Sequence, residues 1–202
     1  MEAGERDFQL LEEWRDGDRD AGSQLFDRHF DAIARFFRNK VDGPVEDLVQ
    51  DTFLACVEGR DRFQQRSSFR TYLFAIARNV LYGHYRKRNK GDQIDGGVTS
   101  VAELGCGMGS MMVKGEEQKL LLRALRRLPL DFQITLELYY WEDLKGPQLA
   151  EALDISPHTV RSRLSRARAA LKEMLEQIDA HPELVTSTIA NLDDLTSTIK
   201  ER

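Results

Sequence analysis

The residues best equipped for chemistry lie between Pro157 and Lys172. Thr159, Arg161, Ser162, Arg163, Ser165, Arg166, Arg168 and Lys172 stand there with no acid among them, while Val160, Leu164, Ala167 and Leu171 recur at helical spacing. The helix thus has one apolar stripe and one basic face. Guanidiniums can bridge guanine O6 and N7 in a major groove, hydroxyls reach bases or phosphates, and added positive charge displaces counterions. A solvated bundle helix usually mixes charge signs, as Glu173 and Glu176 do just beyond, so the division points to DNA.

The elements that position this face can be read from the same stretch. Leu149, Ala150 and Leu153 form a short apolar helical pattern, and Asp154-Ile155-Ser156 interrupts it. Ser156 suits an N-cap, and Pro157 suits the first helical position, where its missing N–H is not needed. The result is a helix-turn-helix. Before it, the pattern predicts a helix over Leu120–Leu128 stopped by Pro129, and another over Phe132–Trp141 with Ile134, Leu138 and Trp141 inward. Four helices therefore make a compact DNA-binding domain.

A second cluster mixes rings and cations. Phe63, Phe69 and Tyr72 stand among Arg62, Arg66 and Arg70, ahead of a predicted helix over Phe69–Arg88 whose inner face includes Leu73, Ile76, Ala77, Val80 and Leu81. Rings interleaved with Arg suit single-stranded DNA, because bases stack on them while guanidiniums hold the backbone. The same rings would serve equally as core. Arg86-Lys87-Arg88 is either a solvated helix end favoured by the dipole or a clamp for phosphates.

Helices are also predicted over Phe8–Trp14, over Ala21–Asn39 with Leu25, Phe26, Phe30, Ile33 and Phe37 as a wide apolar face, and from Pro44 to Glu58. On the last of these, Val49, Phe53, Cys56 and Val57 point inward and Glu46, Asp47, Gln50, Asp51 and Leu54 outward. Glycine-rich residues 91–115 read as a flexible linker. The fold class is all-α, with two helical domains at 1–90 and 116–177 and an extension at 178–202.

At 202 residues with 41% hydrophobic side chains, the chain can bury cores. Its net charge of −5 does not argue against a polyanionic partner, since the acids crowd the N-terminus and tail while 78–90 and 161–172 hold none. No apolar run could span a bilayer and MEAGERDF lacks the pattern of a signal peptide, so no membrane insertion and a cytoplasmic location are expected. Cys56 and Cys106 lie in unlike contexts among scattered histidines, which leaves no metal site, no disulfide and no cofactor. Glu103–Gly109 resembles the glycine loop of S-adenosylmethionine-dependent methyltransferases, but that loop must leave a buried strand, and no β-branched run precedes it here.

The ordered set of these features resembles a bacterial sigma factor of the sigma-70 family, extracytoplasmic-function group, over about Phe8 to Gln177. LLEEWRDGD followed by LFDRHF is similar to the opening of region two, EDLVQDTFL to its polymerase-binding helix, and SFRTYLFAIARN to its promoter-melting segment. RALRRLP, ELYYWEDL, and LAEALDIS followed by TVRSRLSRAR resemble region four.

The resemblance implies a non-enzymatic subunit that binds core RNA polymerase, both the β′ clamp helices and the β subunit, and directs promoter recognition and initiation. It implies that Asp47, Leu48, Gln50 and Asp51 meet the clamp helices, and that Phe63, Phe69, Arg70, Tyr72 and Asn79 handle the −10 element with Arg86, Lys87 and Arg88 on phosphates. Arg161, Ser162, Ser165 and Arg166 would face the −35 major groove, with Thr159 and Arg163 nearer the backbone. The alternative is a helix-turn-helix regulator that binds duplex DNA without forming holoenzyme.

Three departures from the family pattern stand out: Lys145-Gly146-Pro147-Gln148 predicts a late start for the first helix of the motif, Ala75 replaces a larger polar residue, and the tail is long. Leu184, Val185, Ile189, Leu192, Leu195 and Ile199 recur at roughly helical intervals in that tail. It is expected to fold back on a domain as a self-inhibitory segment, alongside or in place of an anti-sigma factor.

Overall fold

A computed structural model describes residues 3–88, 95–104, 115–178 and 182–191. Its first helix, α1 (Ala3–Arg15), turns at Gly17 into α2 (Arg19–Arg38), and the Asp18 carboxylate caps α2 by accepting from the amides of Asp20 and Ala21 at 2.9 and 3.1 Å. Tight packing at Gly22 locks the pair: a Cβ there would lie 2.7 Å from the Trp14 ring. α3 (Glu46–Gly59) and α4 (Phe69–Arg88) complete the first half around Leu11, Leu25, Phe37, Val49, Leu73 and Phe74. Each such apolar side chain contributes about 1.5–3 kcal/mol over its exposed state.

The second half comprises α5 (Glu116–Arg127), α6 (Leu130–Tyr140), α7 (Pro147–Leu153) and α8 (Pro157–Gln177). Leu121, Leu125, Ile134, Leu138, Leu149, Leu153, Leu164 and Leu171 close its core. Pro129, expected to stop α5, is also the residue from which α6 starts. Of the stretch read as linker, 95–104 packs on this half: Val101 and Leu104 are buried, the amides of Leu130 and Asp131 donate to the carbonyls of Thr99 and Gly96, and Ser100 forms an isolated bridge with Pro129. Apolar Val101 and Leu104, sparse in a glycine-rich stretch, are what fasten it. Residues 105–114, which hold most of the glycine loop, lie outside the described residues, and no strand occurs among those described.

Within the tail, α9 (Pro182–Ala190) packs on α5 and α8 through half-buried Leu184, Val185 and Ile189, and the Ser187 hydroxyl donates to Glu117. Leu192, Leu195 and Ile199 lie outside the described residues.

The two halves meet directly. α7 packs against α4, and α6 reaches the first half through buried polar side chains: Lys40, just past α2, donates to Glu137 with neither side chain more than 2% exposed, and Asn39 donates to Glu137 at 2.9 Å. Lys40 is held below its ordinary value by burial, against the pull of the Glu137 charge.

Candidate nucleic-acid interface

The helix-turn-helix forms as its punctuation predicts. α7 begins with Pro147 at its first turn and ends at Asp154 in the left-handed region at φ +54°. Ser156 caps α8 by accepting from the Thr159 amide at 3.1 Å, with Pro157 opening the helix. Val160, Leu164, Ala167 and Leu171 are buried, which fixes the rotation of α8 and leaves Arg161, Ser162, Ser165 and Arg166 exposed. Thr159 and Arg163 sit at the edge of that face, half-buried.

Three arginines of this helix, Arg163, Arg166 and Arg168, are tethered. Arg166 donates from Nε to the Ser162 carbonyl at 3.3 Å and lies 5.9 Å from the Phe132 ring centre. Arg163 pairs with Asp131 at 3.3 Å, and the same carboxylate accepts from the Tyr82 hydroxyl at 2.6 Å. Burial, and then this acceptor, hold the Tyr82 proton on well above the usual phenol range. Exposed Arg168 donates to the Tyr140 hydroxyl at 2.9 Å and lies over the Tyr139 ring at 5.1 Å. Sequence reasoning placed Arg168 on the basic face but not in the contact set; the tyrosine pair of ELYYWEDL was the signal available.

Of the two uses open to the ring-and-arginine cluster, its phenylalanines take the core. Phe63 and Phe69 are 8% and 1% exposed, so they are core rather than free stacking platforms. Phe63 lies parallel to Tyr72 at 4.5 Å, which uses the ring faces that bases would need. Burial raises the half-buried Tyr72 hydroxyl above its ordinary value. Arg70 is paired with Glu142 in the turn after α6. Asn79, Arg86, Lys87 and Arg88 are exposed along the remaining face of α4. His84 nearby is pushed below its ordinary value by burial and by the charges of Arg88 and Lys87, the mark of a positive helix end.

On α3, Asp47, Gln50 and Asp51 are exposed, but Leu48 is 8% exposed and packs inward, a second correction. Its position one residue before Val49 widens the buried stripe of the helix. Val57 and Phe30, both expected inside, are 39% and 44% exposed and join Leu54 as outward apolar groups beside the carboxylates. Cys56 is fully buried, as its apolar position predicts, and burial pushes its thiol up to about 12.

Among the described residues no group of three or more His, Cys, Asp or Glu could hold a metal ion, and no helix is long and apolar enough to cross a membrane.

With this arrangement in place, comparison with known proteins is informative. Residues 25–91 match the family model for Sigma-70 region 2, and residues 118–171 match that for Sigma-70, region 4. The chain belongs to the sigma-70 family, within its extracytoplasmic-function group. It is 27% identical over 180 residues to the ECF RNA polymerase sigma-E factor of Escherichia coli K12, covering 84% of this chain and 94% of that one. It is 32% identical over 139 residues to the probable RNA polymerase sigma factor RfaY of Xanthomonas campestris, covering 66% of this chain but 35% of the length of that relative.

Two solved structures are similar. CnrH in complex with the cytosolic domain of CnrY superposes with a TM-score of 0.64 at 26% identity, over 87% of this chain and 99% of that one. RpoE in complex with the anti-sigma factor NepR, from Bartonella quintana, gives 0.60 at 25% identity, over 78% and 98%.

Proposed function

We propose that this chain is a promoter-specificity subunit: it associates with core RNA polymerase, recognises promoter DNA and helps open it, while polymerase carries out the phosphoryl transfer. The observation that carries this reading is the ordered pair of sigma-70 matches together with the exposed face of α8 that is free of acids from Pro157 to Lys172. Arg161, Ser162, Ser165 and Arg166 read the −35 major groove, Thr159 and Arg163 adjoin its backbone, and Asn79 with Arg86, Lys87 and Arg88 serves the −10 region. Asp47, Gln50 and Asp51, beside exposed Leu54, bind the polymerase clamp. Residues 1–90 and 116–177 are the two functional modules, and the site of action is the cytoplasm.

The similar structure of the sigma factor RpoE with the anti-sigma factor NepR supports an anti-sigma partner for this chain as well. The α9 segment restrains activity from its seat on α5 and α8. Deleting residues 178–202 is therefore expected to raise promoter-dependent transcription.

Run-off transcription with purified chain and core polymerase tests the main reading. Initiation on a matching promoter supports it. Duplex binding without initiation would assign the chain instead to helix-turn-helix regulators that form no holoenzyme.

A further inference from the structure

Glu142 is the acidic centre of the contact between the halves. Its side chain is 3% exposed, and both carboxylate oxygens are taken by guanidiniums of the other half. Arg35 on α2 brings Nε and a terminal nitrogen each to 3.0 Å from Oε1, and Arg70 on α4 donates to Oε2. Two forked cations closing on one oxyanion from separate helices form the kind of site that recognises a phosphodiester as readily as a carboxylate.

We propose that the Arg35–Arg70 pair is a binding site for the backbone of single-stranded DNA, and that Glu142 occupies it as a built-in competitor while the halves are closed. Three further facts support a self-occupying arrangement. Asp131 at the start of α6 takes Arg163 and Tyr82, so a second cation of the basic surface is also held by an acid. Glu137 takes Lys40. Arg35 and Arg70 retain 14% and 29% exposure, so the site borders solvent and a strand can reach it once Glu142 leaves. A buried ion pair is a suitable removable plug, because its attraction is largely offset by the cost of taking both charges from water.

Occupancy by Glu142 reduces the intrinsic affinity for DNA to the fraction contributed by open molecules, so loss of the plug must tighten binding. The site rests on the DNA-binding reading of the chain but extends it to Arg35, which lies outside the resemblance-based contact set. It also makes DNA binding and separation of the halves one event.

The test uses the full chain and a short thymidine oligonucleotide. Glu142→Gln is expected to bind it at least about tenfold more tightly than wild type, and Glu142→Gln with Arg35→Ala is expected to lose that gain. In parallel, fluorophores on Asp27→Cys and Glu173→Cys, exposed positions in opposite halves, are placed in a Cys106→Ser background. Their separation should increase when the oligonucleotide saturates a chain with Glu142 intact. Unchanged affinity of Glu142→Gln, a gain that survives Arg35→Ala, or an unchanged separation at saturation would each overturn the proposal. If Glu142→Gln does not fold, the distance measurement decides alone. Run-off transcription in the same preparations separates the two levels: initiation without the gain removes the site and leaves the sigma-factor reading, whereas no initiation by any variant removes that reading.

Discussion

The outer faces of α8 and α4 are built from similar residue types and end differently. On α8 the apolar positions form one continuous stripe of Val160, Leu164, Ala167 and Leu171, so Arg161 and Arg166 between them are left exposed to solvent. On α4 and the loop before it the rings are drawn inward: Phe69 is 1% exposed and Phe63 lies stacked on Tyr72, while Arg70 is taken by Glu142. A basic face is legible when its helix has a clean stripe opposite. An aromatic-basic mixture is not, because rings serve a core and a base stack equally well.

The largest effect that could break this contrast comes from Phe69→Ala. Removing a buried ring of this kind costs about 3–5 kcal/mol of stability, read as a fall in thermal midpoint. Loss of oligonucleotide binding with unchanged stability would return Phe69 to the stacking role expected from sequence. Next, Arg166→Ala should weaken duplex −35 binding by about 1–3 kcal/mol in an equilibrium titration, with the melting temperature and core polymerase affinity unaltered. Equal losses in all three would mean that α8 is structural in the same sense as α4.

Asp51→Ala tests the acidic face of α3 and is expected to reduce core polymerase affinity by about 1 kcal/mol without changing DNA binding. Wild-type affinity would give that face another task.

The smallest effect sharpens the account of the first half. Burial alone would raise the Asp7 carboxyl, but hydrogen bonds and charges from His29 and Arg28 outweigh it and hold the group below its ordinary 3.8. A carboxylate whose folded value is lowered adds stability that is present above pH 3.8 and is lost as pH falls through that lower value. The difference in stability between wild type and Asp7→Asn should therefore narrow under acid, and a difference independent of pH would contradict the pairing.

Much of the fold was legible because its boundaries are written in local chemistry. The Ser156-Pro157 pair sets the start of α8, Pro129 separates α5 from α6, and the predicted span Phe69–Arg88 coincides with the observed helix. Errors arose where a neighbour distant in sequence decides. Leu48 is buried and Phe30 exposed because the stripes on α2 and α3 are wide, and which edge is covered depends on what packs there. Val101 and Leu104 dock a segment that composition reads as tether. The Lys40–Glu137 and Arg35–Glu142 pairs join positions roughly a hundred residues apart, and no local pattern announces them.

The most direct measurement of the central claim is association of the purified full chain with core RNA polymerase, followed by co-elution in size-exclusion chromatography. The account predicts a stoichiometric complex that survives Arg166→Ala and is weakened by Asp51→Ala. A chain that binds promoter duplex yet never co-elutes with core enzyme would contradict it.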